Sequence, residues 1–136
     1  MTKRIINTIV FVLLSASILY AQDYKQVFYD VQQSFEQRSG IALDELNEYL
    51  LDYPYTPYVD EVYTMQGVLY GETGEYANTI KALSKVKVKE LSRTTEPMYF
   101  FHMGYAYMQL GEYEKALVYL SPLKNNHANP YMLQAS

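Results

Sequence analysis

Gly67, Tyr70, Gly74 and Tyr76 return as Gly104, Tyr107, Gly111 and Tyr113, each position displaced by the same 37 residues. A fixed displacement of four structurally demanding residues marks two copies of one supersecondary unit, and such units fold by stacking so that each buries its neighbour's apolar face. Within each copy the pattern reads as a helical hairpin. A short amphipathic helix cannot hide its apolar stripe alone, so two helices pair, with small residues where their axes approach. Gly67 and Gly104 are expected at those approaches. Gly74 and Gly111 are expected to end the first helix of each pair, because glycine takes the left-handed conformation of a helix C-terminus at little steric cost. Glu75 and Glu112 then open the second helix, an acidic side chain meeting the positive end of the macrodipole.

The later copy, with Phe100, Met103, Gly104, Tyr107, Gly111, Tyr113, Ala116, Leu117 and Leu120 and Pro122 behind them, resembles the tetratricopeptide repeat. The earlier copy carries Tyr63, Gly67, Tyr70, Gly74, Tyr76, Ile80 and Leu83; Thr79 stands where that family usually has alanine, and a weaker helix contact is expected there. Gly40 precedes Gly74 by 34 residues, the family's favoured period, but Gln33 and Glu36 replace the small and aromatic residues, so a first hairpin would be degenerate. Terminal repeats are expected to be atypical. The resemblance covers about Ile41 to Tyr131 and implies an all-α fold, an α-solenoid of about three hairpins plus the start of a fourth, behind an N-terminal signal segment. The expected limits are residues 1–21 for the signal peptide and 22–136 for the repeat domain, with repeats near 24–55, 56–93 and 95–127 and a further helix starting in 129–136.

Helical spacing supports this division residue by residue. Tyr24, Val27, Phe28, Val31 and Phe35 predict a helix from about Tyr24 to Arg38, ended by Ser39-Gly40. Ile41, Leu43, Leu46, Tyr49 and Leu50 predict a second to about Asp52, since Tyr53 precedes Pro54. Thr56-Pro57 is expected to cap and start a third that lasts to about Glu72. Its partner is expected from Glu75 to about Leu91, with Ser92 to Thr95 as a polar loop, a fifth helix from Glu96 or Pro97 to Leu110, and a sixth from Glu112 to about Lys124. Asn129-Pro130-Tyr131-Met132 echoes Thr56-Pro57-Tyr58-Val59 after 73 residues, so the start of another repeat in a longer solenoid is expected, with a short protein whose last turn frays as the alternative.

Lys3 and Arg4 precede an apolar run from Ile5 to Tyr20, and Ala21-Gln22 offers a small residue for cleavage, the layout of an export signal. An uncleaved membrane anchor is the alternative, although the run is short against the ~20 residues a span needs. With no cysteine in the chain, disulfides, thiol metal sites and a lipid-modified N-terminal cysteine are excluded. Losing residues 1–21 removes Lys3 and Arg4 and no acid, making a net charge of −4 more negative by two; phosphate-backbone binding is disfavoured. Fifteen of the sixteen tyrosines follow the signal segment, where one apolar face and one wet hydroxyl suit helix seams and partner surfaces.

Few residues suggest chemistry. His102 and His127 lack the spacing of a metal motif, Asp44, Glu45, Glu48 and Asp52 read as a solvated face, and no phosphate loop or nucleophile elbow occurs. No catalytic residue, metal ligand or cofactor site is therefore expected, and the chain is read as a non-enzyme. Lys81, Lys85 and Lys89 fall at i, i+4 and i+8, with Lys87 and Arg93 nearby; a solvated outer helix face is the expected reading, a docking strip for anionic lipid, cell-wall polymer or an acidic partner the alternative. The resemblance implies a peptide groove lined by the first helix of each repeat, here Glu61, Thr64, Val68 and Glu72 and then Met98, Phe101, Tyr105, Met108 and Gln109. The lysine and asparagine clamp for C-terminal carboxylates is absent; an apolar or amphipathic segment would suit Phe101, Tyr105 and Met108, which could instead pack on a following repeat.

The link Tyr53-Pro54-Tyr55-Thr56-Pro57-Tyr58 is similar to that of exported multi-repeat bacterial envelope proteins. The expected function is accordingly an exported scaffold or adaptor that binds a partner protein or peptide, periplasmic or outer-membrane-associated, and not nucleic acid. Two alternatives stand beside it: adaptor repeats of a larger envelope enzyme, and a solenoid that self-associates through an uncapped C-terminal end.

Overall fold

The computed structural model describes residues 2–125, and all regular structure among them is helical. The chain divides into two compact units, residues 1–42 and 43–136. In the first, α1 runs from Thr2 to Glu36, about 50 Å at 1.5 Å per residue, so the helix expected from Tyr24 continues unbroken into the N-terminal apolar run. Ile5, Ile6, Ile9, Val10, Phe11, Val12, Leu13 and Leu14 are exposed around this end, whereas Phe28, Val31 and Phe35, at i, i+3 and i+7, are buried along one face. Among the described residues no helix is long and apolar enough to cross a membrane.

The end of α1 departs from expectation. Gly40 does not turn the chain; Arg38 does, at φ +52°. The Ser39 amide donates to Ser34 O (2.9 Å) and the Arg38 amide to Phe35 O, closing the last turn. A non-glycine residue here costs about 1–2 kcal/mol. Arg38 offsets that locally, its Nη1 donating to Phe35 O at 2.6 Å and its guanidinium lying 4.3 Å above the Phe35 ring. No glycine scan of the sequence could find such a turn, because its stability comes from one side chain folding back.

The second unit opens with most of α2 (Ala42–Asp52), then repeats one geometry twice. α3 (Val59–Glu72) and α4 (Tyr76–Leu83) have the lengths of α5 (Glu96–Gln109) and α6 (Tyr113–Leu120), and every boundary is displaced by 37 residues. α3 packs on α4 and α5 on α6; α5 also packs on both α3 and α4. Three-residue turns join each pair, with Gly74 at φ +81° and Gly111 at φ +79°, the left-handed residues that the sequence requires. The amide after each glycine donates five residues back, Glu75 to Tyr70 O at 2.8 Å and Glu112 to Tyr107 O at 2.9 Å.

Close approach is equally matched. A Cβ built on Gly67 would lie 2.5 Å from Leu83 Cδ2, and one on Gly104 would lie 2.5 Å from Leu120 Cγ. Thr79, expected to weaken its hairpin, does not leave a defect: it is fully buried and its hydroxyl donates across the pair to Gly67 O at 3.1 Å. Its counterpart Ala116 makes the same approach without a hydroxyl, and a Gly104 Cβ would lie 3.2 Å from its carbonyl.

Three helix limits are corrected. Thr56 does not cap α3; its hydroxyl is 2.8 Å from that of Tyr49, and the helix begins three residues later. α4 stops at Leu83, eight residues short of Leu91, and α6 at Leu120. Ser84 Oγ donates to Ile80 O and Ser121 Oγ to Leu117 O, equivalent residues satisfying equivalent carbonyls at the two helix ends. Beyond α4, α3's first-turn acids hold the chain: Asp60 Oδ1 accepts the Lys87 amide and Glu61 Oε1 the Ser92 amide, each at 2.7 Å. Short 3₁₀ segments follow at Val88–Glu90 and Ser121–Asn125.

Candidate functional site

An aromatic and methionine-bearing strip lies along α5, with Met98 and Tyr105 half-buried and Met108 exposed. Phe101 and Tyr105, one turn apart, stack with ring centroids 5.7 Å apart and planes 11° apart, and His102 meets Phe101 edge-on. Tyr76, at the start of α4, lies edge-on to Tyr105 at 5.9 Å, which bridges the earlier hairpin to α5. Lost hydration, and then the Tyr105 phenol beside it, hold the Tyr76 hydroxyl above its ordinary pKa.

The expected groove residues separate into two groups. Val68 is 1% exposed, Phe101 7%, and Thr64 and Glu61 are also buried, so these four are structural: Glu61 anchors Ser92, and Thr64 Oγ1 donates to Asp60 O. Met98 and Tyr105 are half-buried, and Glu72, Met108 and Gln109 are exposed. Of the repeat-defining residues, Gly67, Gly104 and Ala116 are buried in the hairpins, and Tyr70 and Tyr107 are half-buried. Tyr113 is not equivalent to Tyr76 in its surroundings. It is 66% exposed and, with Leu117 at 60%, forms an open apolar face on α6 whose counterparts Tyr76 and Ile80 are half-covered in the earlier copy. Among the described residues only a short 3₁₀ segment follows α6, where the full helix α5 follows α4.

The lysine strip does not form. Because α4 ends at Leu83, only Lys81 lies on it; Lys85 follows the helix, Lys87 is extended at φ −91° and ψ 99°, and Lys89 is paired with Glu90 at 3.9 Å. Among the described residues no three His, Cys, Asp or Glu side chains gather as metal ligands, and His102 is buried in α5 beside Gly71 and Thr79. His127 and residues 129–136 lie outside the described residues.

Set against known proteins, the chain matches no family model, no curated protein and no solved structure.

Proposed function

We propose that the chain is an exported interaction scaffold built from tetratricopeptide-like hairpins, and that it holds a partner protein or peptide through the open side of α5. The observation that carries this reading is the metrical repeat: two hairpins of equal helix lengths, each with a left-handed glycine and a glycine notch at the same register. Stacked helical units of this kind offer extended surfaces for a partner. Met98, Tyr105 and Met108 supply adaptable apolar contacts, with Glu72 and Gln109 as polar rim, which suits an amphipathic segment better than a charged peptide terminus. The basic, apolar N-terminal stretch supports export, with residues 1–21 as the signal segment.

Site-specific photocrosslinking tests the binding surface. A crosslinker at Met108 in the intact chain is expected to give one discrete adduct in envelope extract, lost on Tyr105→Ala, while a crosslinker at Lys89 gives none. Equal labelling from both positions, or adducts indifferent to Tyr105, would contradict the proposal. Phe101 is unsuitable for this test because its truncation would injure the core.

A further inference from the structure

A cleft of about 180 Å³ opens between α3 and α4, lined by Gln66, Tyr70, Asn78, Lys81, Ala82 and Lys85. Its origin is visible in the other hairpin. There the residue equivalent to Ala82 is Tyr119, which stacks on Tyr107 with centroids 5.6 Å apart and planes 17° apart, and which also meets Tyr99 edge-on. Ala82 leaves unfilled, over Tyr70, the volume that Tyr119 occupies over Tyr107.

The walls change with the filling. Met103, buried in the later copy, is Gln66 in the earlier; Val118 is Lys81, and Pro122 is Lys85. One cavity wall therefore turns from apolar to cationic and amide-bearing while the backbone stays the same. Gln66 is held by a 2.6 Å hydrogen bond to Asn47 Oδ1 on α2, and Asn78 by one of 2.8 Å to Glu75 Oε2. Lys85 Nζ lies 5.1 Å from the centre of the Tyr63 ring. Among the described residues neither Lys81 nor Lys85 forms an ion pair, and the Tyr70 hydroxyl makes no hydrogen bond. Lys81 in the last turn of α4, and Lys85 just beyond it, also answer the negative end of the helix dipole, but that role accounts for neither the missing ring at Ala82 nor the amide at Gln66.

The geometry points to a small-anion site in this cleft, taking one phosphate or carboxylate group between Lys81 and Lys85 with the Tyr70 hydroxyl as a further donor. The charged groups neutralise the oxyanion, the phenol and amides orient it, and the volume admits a compact group with a short substituent. Nothing in this proposal depends on the scaffold reading or on the α5 surface.

The test is an amide chemical-shift titration of the full chain at low ionic strength with inorganic phosphate, with acetate in a parallel arm and chloride at matched ionic strength as control. Saturable shifts at Asn78, Lys81 and Lys85, with Kd on the order of millimolar, are expected from at least one oxyanion. Saturation by phosphate alone assigns the site to phosphate groups, by acetate alone to carboxylates, and by both to either. Lys81→Gln with Lys85→Gln, both exposed, is expected to weaken binding at least tenfold; Ala82→Tyr is expected to abolish it by restoring the later copy's ring. Should Ala82→Tyr misfold, the lysine pair decides. Shifts no different from those with chloride, or saturation unaltered by the lysine changes, would overturn the assignment.

Discussion

Gly67 and Gly104 have no room for a methyl group, while Gly40 has nothing within 4 Å of an added Cβ and no left-handed backbone. Glycine is thus required at some of these sites and incidental at others. Gly67→Ala and Gly104→Ala are each expected to cost about 1–3 kcal/mol in urea unfolding, because a Cβ meets Leu83 or Leu120 below any normal contact distance. Combining Gly67→Ala with Leu83→Ala should lose less than the sum of the two, since the clash disappears with the leucine branch. Gly40→Ala is expected to leave stability unchanged or raise it by up to about 1 kcal/mol through the unfolded chain. Tyr99 yields a prediction of another kind. Burial, and then the Tyr119 and Tyr107 phenols, push its hydroxyl up to about 12. Because the native state resists its ionisation, the Tyr99 contribution to unfolding free energy should be constant below the ordinary tyrosine pKa of about 10 and be lost as pH rises toward 12. Tyr99→Phe should reduce that loss, read by denaturant midpoints across the alkaline range.

At the scale of elements, Thr79 joins α3 to α4 through a buried hydroxyl. Thr79→Ala is expected to destabilise by about 1 kcal/mol, with the Gly67 carbonyl losing a donor, measurable in the same urea series. The C-terminal limits of α3 and α5 were legible in the sequence because each is followed by a glycine whose left-handed conformation the repeat demands; the start of α3 was not, because Thr56 bonds Tyr49 and does not cap the helix. The limits of α4 and α6 were not, because Ser84 and Ser121 end them by side-chain hydrogen bonds that periodicity does not register, and the Lys81, Lys85, Lys89 spacing suggested one continuous face. Arg38 was missed for a related reason: its left-handed turn rests on Phe35, a contact made only after folding. On the candidate surface, register put Met98, Tyr105, Met108, Glu72 and Gln109 where they are accessible. It could not foresee that Val68 and Phe101 point into packing, because periodicity assigns a face and not the depth of the neighbour that covers it.

For the molecule as a whole, the all-helical character follows from two copies of one hairpin metric, with Leu83, Tyr99 and Met103 as a buried cluster spanning α4 and α5. The proposed export of the chain has its own check: mass spectrometry of the protein recovered from cells is expected to find Gln22 at the mature N-terminus, and retention of Met1 through Ala21 would contradict a cleaved signal. The central claim is that both hairpins close through a glycine notch filled by a leucine at the same register. Nuclear Overhauser contacts between glycine Hα protons and leucine methyl groups measure this most directly. The account predicts strong contacts for Gly67 with Leu83 and for Gly104 with Leu120 alike, and absence of either would contradict it.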